Sequence, residues 1–225
     1  MTASAPEKSL PIGVIGASSP AGNHTLDHIA ANSFDVYQAN AADAPSIIDL
    51  MSEAFLNDPT WSWAFPDPAV RRQWWTFCII EALRYPATFR TQDFETASVW
   101  IPPSCGEFSD EGAESVPGKL ADLVGPRASE VMELLHRFGQ AHPSEEPHYY
   151  LSLLGTRANY RGRGIGMALL RENLARIDAE HMPAYLESSN PGNNHRYQSV
   201  GFMPIASFQA PGDGPVVTGM WRAAQ

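Results

Sequence analysis

The stretch Arg161-Gly162-Arg163-Gly164-Ile165-Gly166 joins two segments that have different apolar patterns. The segment before it, residues 148–156, is short, aromatic and aliphatic and ends in turn-forming residues, which predicts a buried strand. The segment after it carries apolar residues at helical spacing: Met167, Leu170, Leu174 and Ile177. The sequence therefore predicts a strand, a glycine turn and a helix in succession.

Glycines at such a turn let the backbone bend sharply and approach a ligand without a Cβ in the way. The N–H groups of residues 162–167, at the start of the helix, could then face an anion such as a diphosphate, with help from the side chains of Arg161 and Arg163. An ordinary glycine-rich connection with no ligand remains the alternative.

Length and composition limit the classes of protein to consider. The chain has 225 residues, 44% of them hydrophobic, and a formal net charge of −10. That length suits one full core, and the charge disfavours nucleic acid and suits a cationic substrate. No stretch approaches the roughly 20 apolar residues of a membrane span. The N-terminus lacks the order of a secretory signal, so we expect a cytoplasmic protein with Cys78 and Cys105 as reduced thiols.

The chain divides by composition into an N-terminal extension, residues 1–33, and a domain, residues 34–225. The extension is rich in Ser, Ala, Pro and Gly, and its glycines at 13, 16 and 22 do not match a dinucleotide fingerprint. His24 and His28 stand four residues apart without a third ligand, so we expect no metal site.

Within residues 34–225 the patterns predict one α/β domain. We expect strands at residues 34–38, 96–101, 148–156, 184–187, 201–208 and 215–222. We expect helices at residues 43–55 (capped by Asp43), 69–85, 129–138, 165–178 and 194–200, and loops at 61–68 and 104–119. The aromatic residues Trp61, Trp63 and Trp74 are either core residues or the wall of a substrate pocket.

Residues 148–203 resemble the GNAT superfamily of acyl-CoA-dependent N-acyltransferases. The resemblance rests on the strand, the Arg-x-x-Gly-x-Gly turn and helix, the strand Tyr185-Leu186-Glu187, and Asn193 and Tyr197 followed by Gly201-Phe202. The chain also resembles, more weakly, the puromycin N-acetyltransferase-like branch of this superfamily. This weaker resemblance rests on Asp58-Pro59, residues 65–68 and residues 99–103. The resemblance implies an α/β fold with a mixed, mostly antiparallel sheet, flanked by helices and splayed where the pantetheine arm inserts.

The resemblance also implies acetyl-CoA as cosubstrate. Its thioester would lie between the strands near residues 153 and 187. Unpaired N–H groups of residues 154–156 could donate to the thioester carbonyl oxygen or to the pantetheine amides. Asn193 would hydrogen-bond the pantetheine or a water beside it, although it could equally be only a helix cap. The coenzyme-binding residues implied are Leu154, Gly155, Thr156, Arg161, Gly162, Arg163, Gly164, Ile165, Gly166, Met167, Asn193 and Tyr197.

Acyl transfer to an amine needs a base for the nitrogen and an acid for the thiolate. Tyr197 is the candidate acid, because a phenol of pKa about 10 can share its proton with a thiol of pKa about 8.5; a tyrosine buried for stability is the alternative. Glu187 is the candidate base, or a group that only attracts an ammonium. Other candidates for the base are Glu53, Asp58, Asp67 and His148.

The resemblance to the GNAT superfamily, with these candidate residues, implies an acetyl-CoA-dependent N-acetyltransferase that works by direct transfer in a ternary complex. The expected acceptor is a primary amine of a small molecule, with an antibiotic-like amine as one candidate. We expect a monomer or homodimer without a nucleic-acid or membrane partner. A transferase for proteins or peptides and a non-catalytic acyl-CoA-binding module remain the alternatives.

Overall fold

The computed structural model describes residues 35–225, which form a seven-stranded sheet in the order β1-β2-β3-β4-β5-β7-β6. The strands are β1 Val36–Gln38, β2 Thr88–Thr91, β3 Thr96–Ile101, β4 Tyr149–Thr156, β5 Ala184–Ser188, β6 Met203–Gln209 and β7 Val216–Arg222. In this part of the chain β4 and β5 are parallel and the other neighbouring pairs are antiparallel. The predicted mixed, mostly antiparallel sheet is confirmed.

Helices of unequal length flank the sheet. They are α1 Ala44–Ala54, α2 Pro59–Ala64, α3 Pro68–Ala82, α4 Asp110–Val124, α5 Ala128–Ala141, α6 Ile165–Ala179 and α7 Asn194–Gln198. Short 3-10 turns occur at Ala41–Asp43, Gly125–Arg127, Ala158–Tyr160 and Pro191–Asn193.

The pairing of β4 with β5 stops partway along the strands. It runs from Tyr149, opposite Ala184, to Leu151, opposite Leu186. Beyond that point β4 continues to Thr156 beside β3, while β5 continues to Ser188 beside β7. A gap therefore opens between the two strands, as the family resemblance implies, and it leaves the facing backbone groups free of β4–β5 pairing.

Two apolar clusters hold the layers together. Helices α1, α3, α4 and α5 contribute to one cluster, and α6 packs its buried residues Leu170, Leu174 and Ile177 into the other. Between α6 and β3 lies a buried polar contact, in which Oδ1 of Asn173 accepts hydrogen bonds from Ser98 Oγ at 2.6 Å and Trp100 Nε1 at 3.1 Å. The helix that follows the glycine turn is thus fixed to the sheet.

Two segments predicted as loops contain helices, so these predictions were wrong. Within residues 61–68 the chain continues α2, whose N-cap Asp58 accepts a hydrogen bond from the N–H of Trp61 at 3.0 Å. Within residues 104–119 lies the start of α4, capped by Ser109. Burial of Val116 and Leu120 stabilises α4 despite its glycines and internal proline.

Further differences concern the first helix and one strand. Asp43 does not cap α1; its carboxylate instead accepts from the N–H of Asn40 at 3.0 Å, in a capping box around the preceding 3-10 turn. Strand β2 was not predicted from the sequence. It pairs with both β1 and β3.

Some predictions from the sequence concern residues 1–34, which the structure does not describe. The extension at residues 1–33, including His24 and His28, lies outside the described residues, and the domain boundary at residue 34 stays a prediction. Within residues 35–225, no helix has the length and apolar character needed to cross a membrane.

Candidate active site

A cleft with a volume of about 530 Å³ lies at the start of α6, beside the open ends of β4 and β5. We call it the glycine-turn cleft. Of the residues predicted to bind coenzyme, all but Arg163 line it: Leu154, Gly155, Thr156, Arg161, Gly162, Gly164, Ile165, Gly166, Met167, Asn193 and Tyr197. The fold thus brings together residues more than 40 positions apart in the sequence.

The backbone of the turn depends on its glycines. Gly162 and Gly164 both have φ of +77°, a conformation that disfavours residues with a Cβ, and Gly164 directly precedes α6. Gly166 faces β4 so closely that an added Cβ would lie 2.5 Å from Oγ1 of Thr156. The first N–H groups of a 15-residue helix are therefore exposed to the cleft without side chains in the way.

The two arginines of the turn lie in different places. Arg161 lines the cleft, and its guanidinium donates to the backbone oxygen of Ala54 at 2.6 Å and to that of Thr156 at 3.3 Å. Arg163 lies over the ring of Tyr160, 5.3 Å from its centroid. Arg161 therefore fixes the turn against α1 and β4.

Asn193 also lines the glycine-turn cleft. It is the residue before α7, but its side chain makes no capping hydrogen bond within the described residues. The nearby Asn190 provides the side-chain cap of the preceding turn, with Oδ1 accepting from the N–H of Gly192 at 3.0 Å. The amide of Asn193 is thus not used as a helix cap.

Tyr197 lies on α7 and reaches the inner end of the cleft. Burial, together with the nearby charge of Asp58, raises the pKa of Tyr197 to about 12. Its phenol is therefore protonated at neutral pH, as a proton donor must be.

A second cavity of about 510 Å³ lies between α3, α5 and β4. We call it the aromatic pocket, because Trp61, Trp74, Trp75, Phe108 and Phe138 form much of its wall. Trp63 is not part of this wall; it packs against Arg127 instead, whose guanidinium carbon lies 5.1 Å from the ring centroid. The sequence left open whether these tryptophans are core or pocket residues, and Trp61 and Trp74 are both.

The aromatic pocket is acidic. Its lining from the described part of the chain includes Glu107, Glu145, Glu146 and Glu187 but no lysine or arginine. Glu107 accepts a hydrogen bond from Ser152 Oγ at 2.5 Å. Burial raises the pKa of Glu107, and the negative charge of Glu187 raises it further. A cationic ligand would relieve this accumulation of carboxylates.

A narrow passage of about 40 Å³ lies between the two cavities and shares lining residues with both. Trp61, Tyr150 and Glu187 belong to its lining and to that of the aromatic pocket. Leu154 and Tyr197 belong to its lining and to that of the glycine-turn cleft. The two predicted catalytic residues, Glu187 and Tyr197, therefore meet at this passage.

Glu187 extends from the end of β5, and its side chain is only 2% exposed. Oε1 lies 3.5 Å from Nδ1 of His142, whereas Oε2 has no hydrogen-bond partner among residues 35–225. Burial and the charge of Glu187 raise the pKa of both Tyr150 and Tyr185. Glu187 is thus a buried carboxylate with one oxygen available to a ligand.

The other acidic candidates are engaged elsewhere. Glu53 pairs with Arg157 at 3.0 Å and accepts from the N–H of Ala158 at 2.6 Å. Asp67 caps α3 by accepting from Ala69 N at 2.8 Å. Asp58 lines the glycine-turn cleft but already accepts two hydrogen bonds.

Glu107, His142 and Tyr150 are among the residues of the site that sequence reasoning missed. Glu107 and His142 lie in connections before α4 and after α5, where nothing in the local pattern marks them. Tyr150 belongs to a predicted strand, and the alternation of β4 could have indicated which of its side chains face the gap.

Comparison with known proteins gives the same fold. The family model described as the acetyltransferase (GNAT) family matches residues 132–202. A solved structure from Corynebacterium glutamicum, described as histone acetyltransferase HPA2 and related acetyltransferase, is 27% identical, covers 86% of this chain and 97% of its own, and has a TM-score of 0.65.

Two further solved structures come from insects. Arylalkylamine N-acetyltransferase 2 of Aedes aegypti is 10% identical over 86% of this chain and 100% of its own, with a TM-score of 0.62. The polyamine N-acetyltransferase of Drosophila melanogaster is 16% identical. The match covers 85% of this chain and 100% of its own, with a TM-score of 0.62. At these identities the likeness concerns the fold.

The family match spans the α5–β4–α6–β5–α7 region that builds the glycine-turn cleft. Residues 132–202 are therefore similar to the acetyltransferase (GNAT) family, and the solved structures share the fold of the chain.

Proposed function

We propose that this protein transfers an acetyl group from acetyl-CoA to a primary amine of a small molecule. One observation carries the proposal: a coenzyme-sized cleft and an acidic aromatic pocket both reach the gap between β4 and β5, and Glu187 and Tyr197 line the passage between them. Donor and acceptor could therefore meet at two groups suited to moving protons.

The glycine-turn cleft suits coenzyme A on the chemistry of its lining. The N–H groups at the start of α6 can donate to a pyrophosphate, and the positive end of the helix dipole favours its charge. Further along, residues 154–156 of β4 do not pair with β5, and their N–H groups could donate to the pantetheine carbonyl oxygens or to the thioester oxygen. Asn193 adds a side-chain amide to the lining, and this amide does not cap α7 within the described residues.

In the proposed reaction the acceptor nitrogen gives up two protons in total. Glu187 takes the first from the ammonium, and the neutral nitrogen then attacks the thioester carbonyl carbon. As the C–N bond forms and the C–S bond breaks, Tyr197 donates its proton to the leaving thiolate, and the second nitrogen proton restores the phenol through solvent in the passage. Transfer is direct, because both substrates occupy the site together.

The aromatic pocket favours an amine with an apolar body. Its tryptophans and phenylalanines offer flat surfaces, and Glu107 and Glu187 attract a positive charge. The insect relatives are described as arylalkylamine and polyamine N-acetyltransferases, the latter forming N-acetylagmatine. We therefore infer a cationic aryl- or alkylamine as acceptor; an antibiotic-like amine with a flat ring system is one member of this class.

The test is an acetyl-transfer assay with the purified protein. Acetyl-CoA is combined with arylalkylamines, polyamines, agmatine, aminonucleosides, aminoglycosides and histone-tail peptides, and thiol release is measured against a blank without acceptor. We expect release with one class of small amines and none with matched alcohols. Thiol release with peptides alone would favour a protein acetyltransferase. No thiol release with any acceptor, despite measured coenzyme A binding, would favour a non-catalytic binding module.

A further inference from the structure

A chain of hydrogen-bonding groups leads away from Glu187 along the wall of the aromatic pocket. Nδ1 of His142 lies 3.5 Å from Oε1 of Glu187, and Nε2 of His142 lies 3.0 Å from Nε2 of His148. His148, which is 8% exposed, ends the chain with its Nδ1 at 2.7 Å from the backbone oxygen of Glu146. Both histidine rings are thus held by contacts at both nitrogens.

The far end of this chain fixes where the protons lie. The carbonyl oxygen of Glu146 can only accept, so Nδ1 of His148 must carry the proton. In neutral His148, Nε2 is then a bare acceptor, and Nε2 of His142 must donate to it. Burial lowers the pKa of His148, which favours this neutral form.

The same reasoning applies to the contact between His142 and Glu187. With its proton on Nε2, neutral His142 presents the lone pair of Nδ1 toward Glu187. Two lone pairs would then face each other, unless one proton lies between the carboxylate and the imidazole. The geometry therefore creates a place for a single additional proton, shared by Glu187 and His142.

We propose that Glu187 and His142 act together as the base of the acetyl-transfer reaction, and that His148 is a positioning residue that fixes the tautomer of His142; this rests on the proposed function. Glu187 accepts the proton from the acceptor ammonium and passes it to Nδ1 of His142. The proton then leaves to solvent from His142, whose side chain is 32% exposed. Glu187 is restored as a carboxylate for the next turnover, and no other reactant is needed.

Acidic and aromatic side chains surround the ring of His142. The titratable groups around its ring are Glu107 and Glu146 in addition to Glu187, the phenols of Tyr150 and Tyr185, and His148. Both phenol rings lie edge-on to the His142 ring, and in each pair the ring centroids are 4.8 Å apart. Among these groups, carboxylates outnumber cationic side chains.

The test compares His148→Phe with His148→Gln. The glutamine retains an amide oxygen that can accept from Nε2 of His142, whereas phenylalanine fills the space without an acceptor. We expect His148→Phe to lower kcat about 10-fold or more, to leave the KM for acetyl-CoA unchanged and to shift the acidic limb of the kcat/KM profile. We expect His148→Gln to recover most of the rate and the wild-type profile.

A second measurement does not depend on activity. Nitrogen-15 NMR of the imidazoles should report His148 protonated at Nδ1 and His142 protonated at Nε2 in the wild type, and a mixture of His142 tautomers in His148→Phe. Neutral His142 protonated at Nδ1 in the wild type, or equal pH profiles for the two variants, would overturn the relay.

The experiments distinguish failure of the proposed acetyl transfer from failure of the proton relay. Wild-type protein without acetyl transfer to any acceptor would remove the proposed function and the relay with it. Active wild type with indistinguishable His148 variants would remove the relay alone. Circular dichroism and coenzyme A affinity of each variant establish that the fold is retained.

Discussion

The hydroxyl of Ser189 donates a hydrogen bond of 2.7 Å to Oδ2 of Asp58. A second contact runs beside it, from Oγ1 of Thr60 to the backbone oxygen of Ser189 at 2.7 Å. These bonds fix the start of α2 to the residue after β5, although the two lie 131 positions apart. Trp61, on α2, and Glu187, on β5, are consequently held together in the lining of the passage.

Ser189→Ala should therefore destabilise the protein as well as loosen the passage. The substitution removes the hydrogen bond from Ser189 to a buried carboxylate, and we expect a loss of about 1.5–3 kcal/mol in the free energy of unfolding. Urea unfolding measures it. Ser199→Ala is the matched control, because its hydroxyl bonds only to the oxygen of Arg196 in an exposed turn. Equal midpoints for both variants would contradict the structural role of the contact.

Charge at residue 164 should determine coenzyme A affinity. Gly164→Glu and Gly164→Lys impose the same left-handed backbone on a residue with a Cβ, at a cost of about 1–2 kcal/mol each. The glutamate also repels a pyrophosphate at the start of α6, whereas the lysine attracts it. We expect calorimetry to give no measurable coenzyme A binding for Gly164→Glu. Gly164→Lys should bind coenzyme A much more tightly than Gly164→Glu does.

The pair of substitutions separates bulk from charge. Equal loss of affinity in both variants would attribute the effect to steric exclusion and remove the charge argument. Unchanged affinity in both would remove the phosphate site from the glycine turn altogether.

The glycine turn could be predicted from the sequence because its determinants are local. Residues 148–178 change from an aromatic strand pattern to a helical one across three glycines, and each of these features is visible within a few residues. Tyr197 and Asn193 follow at a spacing that carries the family resemblance. The cleft they form is accordingly lined by almost every residue predicted for it.

The aromatic pocket could not be predicted in the same way, because it depends on distant contacts. Glu107 is oriented by Ser152, 45 positions away. It lies before α4, whose helix depends on burial of Leu120 rather than on local propensity. His142 acquires its environment only when α5 ends beside β4 and β5. Such residues carry no signal in their own sequence neighbourhood.

Tyr197→Phe should lower kcat on the order of 10²-fold while leaving the KM for acetyl-CoA nearly unchanged. The phenol is the proposed acid for the thiolate, and its pKa, raised by burial to about 12, keeps it protonated across the working range. The control is Tyr149→Phe, since the Tyr149 hydroxyl bonds to Glu180 outside both cavities. Steady-state kinetics with saturating amine measures the effect; equal kcat for wild type and Tyr197→Phe would remove Tyr197 as the acid.

Glu107→Gln should weaken recognition of cationic acceptors and change its pH dependence. Burial raises the pKa of Glu107, so in the wild type this carboxylate loses its charge as the pH falls through that raised value. The attraction for an ammonium is therefore present above this pKa and lost below it. We expect kcat/KM for the amine to rise with pH through this step in the wild type, and the step to be absent in Glu107→Gln.

The size of the effect also distinguishes this residue from Glu187. Glu107→Gln removes attraction without removing the base, so KM for the amine should rise about 10-fold, equivalent to about 1.4 kcal/mol, while kcat changes little. Glu114→Gln, on the exposed face of α4, is the control for loss of one negative charge from the chain. A fall in kcat at constant KM would instead place Glu107 in the proton-transfer step, and a response equal to that of Glu114→Gln would mean that the acceptor binds away from Glu107.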